Sequence, residues 1–257
     1  WRDLAYLSAV ATSGHRNAGR PVVIALKSMN LLGASATDFV ERFAPKEVTI
    51  FGAPGMRVDA ENVEHVALDE LEATTIAIAA SWERAEAVVV VSPDDYGSAV
   101  LAASFAGRVG APLFFVDGSP SRALTAEFHR LSPSQVFVIG EAADLGIENV
   151  VHLDGADAAM TWLMDNGHEL DYLAVVNPND RDAGRSQKLS LTAPSYTIRR
   201  NGLVIPFGTS IPADVAEGND LTAVLAHLDD RYQTLGRHPE HLALVGSFDV
   251  IPIERRP

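Results

Sequence analysis

The stretch AVVVVSPDDYGSAVLAASFAGRVGAPLFFVDG (Ala87–Gly118) decides the fold, together with its continuations SPSRALTAEFHRLSPSQVFVIG (Ser119–Gly140) and ENVVHLDG (Glu148–Gly155). An all-apolar run, Val88–Val91, ends in Ser-Pro-Asp-Asp, and small residues in a helical pattern follow over Ser98–Arg108. Then come a second apolar run (Leu113–Val116), a second helical stretch (Ser121–Leu131), a third run (Val136–Ile139) and a fourth (Val150–Leu153). Runs without polar alternation, separated by short helices, are the pattern of a parallel sheet covered on both faces.

Outward from this stretch, the chain repeats itself. VFVIG (Val136–Gly140) returns as VTIFG (Val48–Gly52) and as LALVG (Leu242–Gly246). Glu148–His152 has a counterpart in Glu61–His65, and Val90–Pro93 in Val175–Pro178. The run Leu113–Asp117 corresponds to Val22–Leu26 and to Leu203–Phe207. Anchors at a nearly common spacing identify a tandem array before any motif is considered. The expected fold is α/β, with three tandem Rossmann-like or flavodoxin-like repeats whose sheets are mostly parallel. Repeat 1 (residues 1–84) lacks its first strand and opens in a helix marked by Leu4, Leu7 and Val10. Repeat 2 spans 85–170. Repeat 3 (171–257) stops after LALVG and carries an insertion, Gly208–Asp220, whose Pro, Gly and Asp content marks a surface loop. Helices over Leu71–Arg84 and Ala156–Met164 join the copies, so the copies are expected to pack together.

Composition limits what such a chain can do. Hydrophobic residues make up 47% and charged residues 21% of the 257, an ordinary globular balance. The formal net charge of −14 is the wrong sign for nucleic acid, whose phosphates need a basic footprint. Cysteine is absent, which excludes disulfides, thiolate zinc sites and a cysteine nucleophile within these residues. No apolar run reaches the length of a transmembrane segment, and no signal peptide is visible at Trp1. Without an initiator Met, the chain is expected to be a processed form or a fragment.

Copy two resembles the type 2 cell wall-binding repeats (CWB2-like). Those repeats pair a strand ending in Ser-Gly-Asp with a helix opening Asp-Ala-Leu-Ala-Ala, an Ala-Pro-strand and a strand ending in Gly-Gly. Ser92, Asp94, Ala99–Ala103, Ala111-Pro112 and Val138–Gly140 match that pattern, while Ser98 and Glu141 depart from it. The resemblance implies three copies arranged as a pseudo-symmetric trimer, located extracellularly or at the cell surface. Its implied partner is an envelope polysaccharide or other anionic polymer, and other protein chains are a second class of partner. A shorter resemblance covers His241–Pro252, which is similar to a strand of the non-catalytic Rossmann-like half of gingipain-like C25 cysteine peptidases. It implies that the chain could be the upstream half of such a peptidase or pseudo-peptidase. A filament-forming subunit is a further alternative, since repeated α/β units stack readily.

Open α/β sheets bind ligands in loops at the carboxyl ends of their strands. Two such loops stand at equivalent places, Ser92–Ser98 and Asn177–Ser186. Their candidate ligand-binding residues are Ser92, Asp94, Asp95 and Ser98 in one, and Asn177, Asn179, Asp180, Arg181 and Arg185 in the other. A polar or anionic ligand would be held by helix N-termini and by Arg181 or Arg185. Ser, Asn and Asp are also preferred helix N-caps, an account of both loops that needs no ligand. Asn177, Asn179, Asp180 and Asp182 do not make a calcium loop, because Arg181 sits where an acid is needed and no Glu closes it. P-loop, G-x-G-x-x-G, G-x-S-x-G and H-E-x-x-H signatures are missing. Neither catalytic residues nor a metal or cofactor are therefore expected, and whether the chain belongs to an enzyme is left open. His65 and His152 are expected to face solvent beside their strands.

Overall fold

A computed structural model describes residues 2–14, 34–51, 57–67, 70–141, 145–147, 149–178, 189–206, 229 and 239–245. Expectations for Val22–Leu26 and for the Gly208–Asp220 insertion lie outside these residues. The elements run α1 (Arg2–Ala11), α2 (Ala34–Phe43), β1 (Glu47–Phe51), β2 (Asn62–Val66), α3 (Leu71–Ala79), β3 (Ala87–Val91), α4 (Tyr96–Val109) and β4 (Leu113–Phe115). They continue with α5 (Arg122–Leu131), β5 (Gln135–Ile139), β6 (Val150–Leu153), α6 (Gly155–Asp165), β7 (Tyr172–Val176), α7 (Ala193–Arg199), β8 (Gly202–Pro206) and β9 (His241–Val245). A 3₁₀ turn, Thr12–Gly14, follows α1, and another, Leu189–Thr192, precedes α7.

Every described strand pair is parallel. The central sheet has the order β4-β3-β5-β6, the flavodoxin-like order 2-1-3-4. The third sheet, β8-β7-β9, has the order 2-1-3, and β1 pairs with β2 as β5 pairs with β6. Registers agree as well. Val136↔Val150 and Val138↔His152 in the central sheet correspond to Val48↔Val63 and Ile50↔His65 in the first. Val88↔Val136 likewise corresponds to Leu173↔Leu242. His65 and His152 are exposed.

One expected equivalence is a residue out. Leu113 faces Val89, but Ala174, the counterpart of Val89, faces Val204 rather than Leu203. A run of uniformly apolar residues has no polar alternation to pin its register, so the sequence pattern alone cannot distinguish the two alignments.

Two helix boundaries also differ from expectation. Helix α4 starts at Tyr96 rather than Ser98, because Asp95 caps it. Helix α3 ends at Ala79, short of Arg84. Beyond it the chain turns so that Trp82, only 1% exposed, drops into the core formed by Val88, Val90, Phe114, Val136 and Val138. The freed carbonyls are bonded: Ser81 Oγ donates to Ile78 O at 3.0 Å, and the Arg130 guanidinium donates to Trp82 O at 2.7 Å and Ala79 O at 3.2 Å. Arg130 also pairs with the nearly buried Glu127 carboxylate at 2.5 Å.

Helix α4 is the hub. Gly97 through Gly107 are all buried, so this helix has no solvent face and its apolar and small residues go all the way round. One side carries Phe105, which meets Phe137 edge-to-face at 5.0 Å and Trp162 at 5.6 Å. The opposite sides pack against α1 and α7. Closeness there depends on small residues: a Cβ on Gly107 would collide with Ile198 of α7. The continuous core runs from Leu4 and Leu7 of α1 through α4 and β3 to Leu173, Val175 and Val204, so the central and third sheets share one interior with α1.

The helices also finish the sheet edges. The edge strand β4 is met by α1, whose buried Ser8 hydroxyl donates to Leu113 O at 2.8 Å. The edge strand β8 is met by α4, whose Ser104 hydroxyl accepts from Val204 N at 3.1 Å. Ser104 in turn lies 2.7 Å from the Thr197 hydroxyl, which donates to Pro194 O at 3.1 Å. At the far end of α4, the Arg108 guanidinium donates to Asn201 Oδ1 at 2.9 Å and Glu169 O at 2.8 Å. Burial, and then the Arg108 charge, lower the pKa of the neighbouring His168 below the usual imidazole value.

Candidate functional site

In a 2-1-3-4 sheet the topological switch point lies between the first and third strands in chain order, here β3 and β5. The chain reaches it in two segments, Ser92–Asp95 after β3 and Gly140–Glu141 after β5. Proline in the first segment and polar residues in both break the apolar runs and start the next elements, which is why they lie at the carboxyl edge.

Within the first segment the polar groups bond to one another. Asp95 is the N-cap of α4, and its Oδ1 accepts from Ser98 N at 3.0 Å. Its Oδ2 accepts from the Ser98 hydroxyl at 2.5 Å. Ser92 Oγ accepts from Asp94 N at 3.3 Å. Gly140 closes over this pair in the left-handed region, φ +73, and a Cβ there would stand 2.5 Å from Ser98 Oγ. The crevice at the switch point is therefore occupied by the cap itself. Ser98 is buried, whereas Asp94 and Glu141 are exposed.

Of the four candidates in this loop, Asp95 and Ser98 act together as the helix start, and Ser92 with Asp94 forms the turn leading into it. The capping account holds for this loop. Asp95→Ala is expected to lower stability by about 1 kcal/mol, the usual cost of losing an N-cap carboxylate. Urea denaturation checks this as a fall in midpoint at unchanged slope; an unchanged midpoint would refute the capping role.

In the second loop, Asn177 follows β7 as Ser92 follows β3, and it is half-buried. Asn179, Asp180, Arg181 and Arg185 lie outside the described residues, so the structure places one of the five candidates there. A link between α4 and the turn before α7 that sequence reasoning missed runs close by. Tyr96 Oη, at the first residue of α4, is 3.0 Å from Ser190 Oγ in the 3₁₀ turn before α7. A Tyr within a Pro-Asp-Asp loop carries no sequence signal of such a partner.

As for chemistry, Ser98 is a buried hydroxyl bonded to a carboxylate acceptor, without an imidazole or amine beside it among the described residues. That arrangement fixes a helix end and is not an activated nucleophile. Among the described residues no group of three or more His, Asp or Glu side chains is placed to hold a metal ion. Nor is any described helix long and apolar enough to cross a membrane.

No family model matches this chain, and no curated protein matches it by sequence. By structure it is similar to Cwp6 from Clostridium difficile, with a TM-score of 0.62 and 14% sequence identity over 95% of this chain. It is similar to Cwp8 from the same organism, with a TM-score of 0.62 and 13% identity over 97% of this chain. The chain spans 40% of the length of the Cwp6 structure and 44% of that of Cwp8. At these identities the likeness establishes the α/β fold along nearly the whole chain.

Proposed function

We propose that this chain is a non-catalytic module of a cell-surface or secreted protein that attaches to an envelope polymer. In this reading it consists of three flavodoxin-like copies, residues 1–84, 85–170 and 171–257, held around α4. The observation that carries the proposal is the likeness of fold, over 95–97% of the chain, to Cwp6 and Cwp8, cell wall proteins. The common strand orders and registers of the sheets support the triplication. Capping hydrogen bonds use up Asp95 and Ser98, so in this reading the polymer is met on surfaces other than this loop.

The sign of the charge narrows the polymer. At a formal net charge of −14, an anionic polymer is repelled overall, and salt screens that repulsion instead of weakening attachment. A neutral polysaccharide, or a local contact through arginines such as Arg181 and Arg185, fits better. Retention on isolated envelope polysaccharide is therefore expected to persist from low to moderate salt. A pull-down checks this, and failure to be retained at either salt concentration would overturn polymer attachment.

A further inference from the structure

Asn-Gly occurs twice in the sequence, at Asn166-Gly167 and Asn201-Gly202. This is the dipeptide in which a backbone nitrogen most readily attacks a side-chain amide, because glycine adds no side chain to hinder the approach. The fold puts the two copies in opposite circumstances.

Asn166 is the C-cap of α6, and both it and Gly167 are exposed. Its side chain is held by one bond, Nδ2 to Trp162 O at 2.8 Å. The surrounding backbone bonds, Asn166 N to Trp162 O and Gly167 N to Met164 O, belong to the last turn of the helix, where fraying takes the least free energy.

Asn201 is clamped at both ends of its amide. Oδ1 accepts from Arg108 at 2.9 Å, and Nδ2 donates to Asp171 Oδ2 at 3.2 Å. Its carbonyl accepts from Asp171 N at 3.0 Å. Gly202 is buried as the first residue of β8, paired with Tyr172 and lying against the Tyr172 carbonyl. Turning Gly202 N toward the Asn201 side chain would unpair the edge strand from β7.

We propose that Asn166-Gly167 is a site of spontaneous covalent modification in the folded protein, while the chemically identical Asn201-Gly202 is protected by Arg108, Asp171 and the β7–β8 pairing. In the reaction Gly167 N, having lost its proton to solvent, forms a bond to Asn166 Cγ. The Cγ–Nδ2 bond breaks and ammonia leaves with a proton taken from water. Water then opens the five-membered imide at either carbonyl, leaving aspartate or its isomer with the backbone routed through the side chain. No oxidant or reductant is involved. The product adds a negative charge beside Asp165 at the carboxyl end of α6, where the helix dipole disfavours it. It also removes the bond to Trp162 O, so the turn that carries Trp162 loosens.

The test follows both peptides by mass spectrometry during incubation of the intact chain in mildly alkaline buffer, in parallel with a sample in concentrated urea. The native protein is expected to convert Asn166 faster than Asn201 by roughly tenfold or more, and the two rates are expected to converge in urea. An Asn166→Gln variant should lose the fast conversion. Equal rates in the native protein, faster conversion of Asn201, or two sites that convert in urea alone would each overturn the proposal.

Discussion

Phe105→Ala is expected to destabilise the protein by about 3–5 kcal/mol, the range for deleting a large buried aromatic from a close-packed interior. Phe105 is fully buried on α4, and its ring joins two others, Phe137 of β5 and Trp162 of α6, which are themselves 4.6 Å apart at 78°. Removing it leaves a void bounded by a strand, a helix and the central helix, none of which can move inward without disturbing the others. Edge-to-face geometry adds about 0.5–1.5 kcal/mol per pair beyond buried area, and two such pairs are lost. Urea unfolding followed by circular dichroism measures the effect. The transition should shift to lower urea as a single step, because the central and third sheets share one interior. A second step, with part of the signal unmoved, would mean that parts of the chain unfold separately.

Ser104→Val is expected to cost about 3 kcal/mol, although the substituted residue is small and touches no solvent. Its hydroxyl accepts from Val204 N and hands its own proton to Thr197, whose hydroxyl continues to Pro194 O. Valine cannot accept, so a buried backbone N–H is left without a partner, at about 1–3 kcal/mol. The extra methyl groups also enter a helix contact with no slack, at about 1–3 kcal/mol more. Ser104→Ala separates the contributions, since it removes the acceptor without adding volume. Hydrogen exchange of the Val204 amide gives a local readout and should accelerate in both variants. An amide as protected as in the parent would refute the role given to Ser104.

Most of the architecture could be read from the chain because burial on both faces leaves a plain mark, the uninterrupted runs at Val88–Val91 and Val136–Ile139. The parallel pairing and the alternation of strands with helices follow from that mark. Register at β8 could not be read, since nothing in LVIPF distinguishes one residue's face from the next. The early end of α3 depends on Arg130, a residue 48 positions away from Trp82, and so is invisible to any local pattern. For the candidate site, Asp-Asp before a helix pointed to a cap, and the structure assigns the cap to the second acid of the pair. The hydroxyl contacts of Ser104, Tyr96 and Ser190 had no signature, because a serine within a small-residue helix looks the same whether it meets a backbone, a side chain or nothing.

The hydroxyls that meet β4 and β8 bear on how molecules of this protein could associate. Growth by adding a strand of one molecule to the sheet of another needs a row of unclaimed backbone donors and acceptors along an edge. At β4 the Leu113 carbonyl already belongs to Ser8, and at β8 the Val204 amide already belongs to Ser104. Both strands are also roofed by the helices that carry those serines. A strand added at either margin would have to displace the serine bond and the helix that carries it, which favours association through side-chain surfaces or another sheet margin.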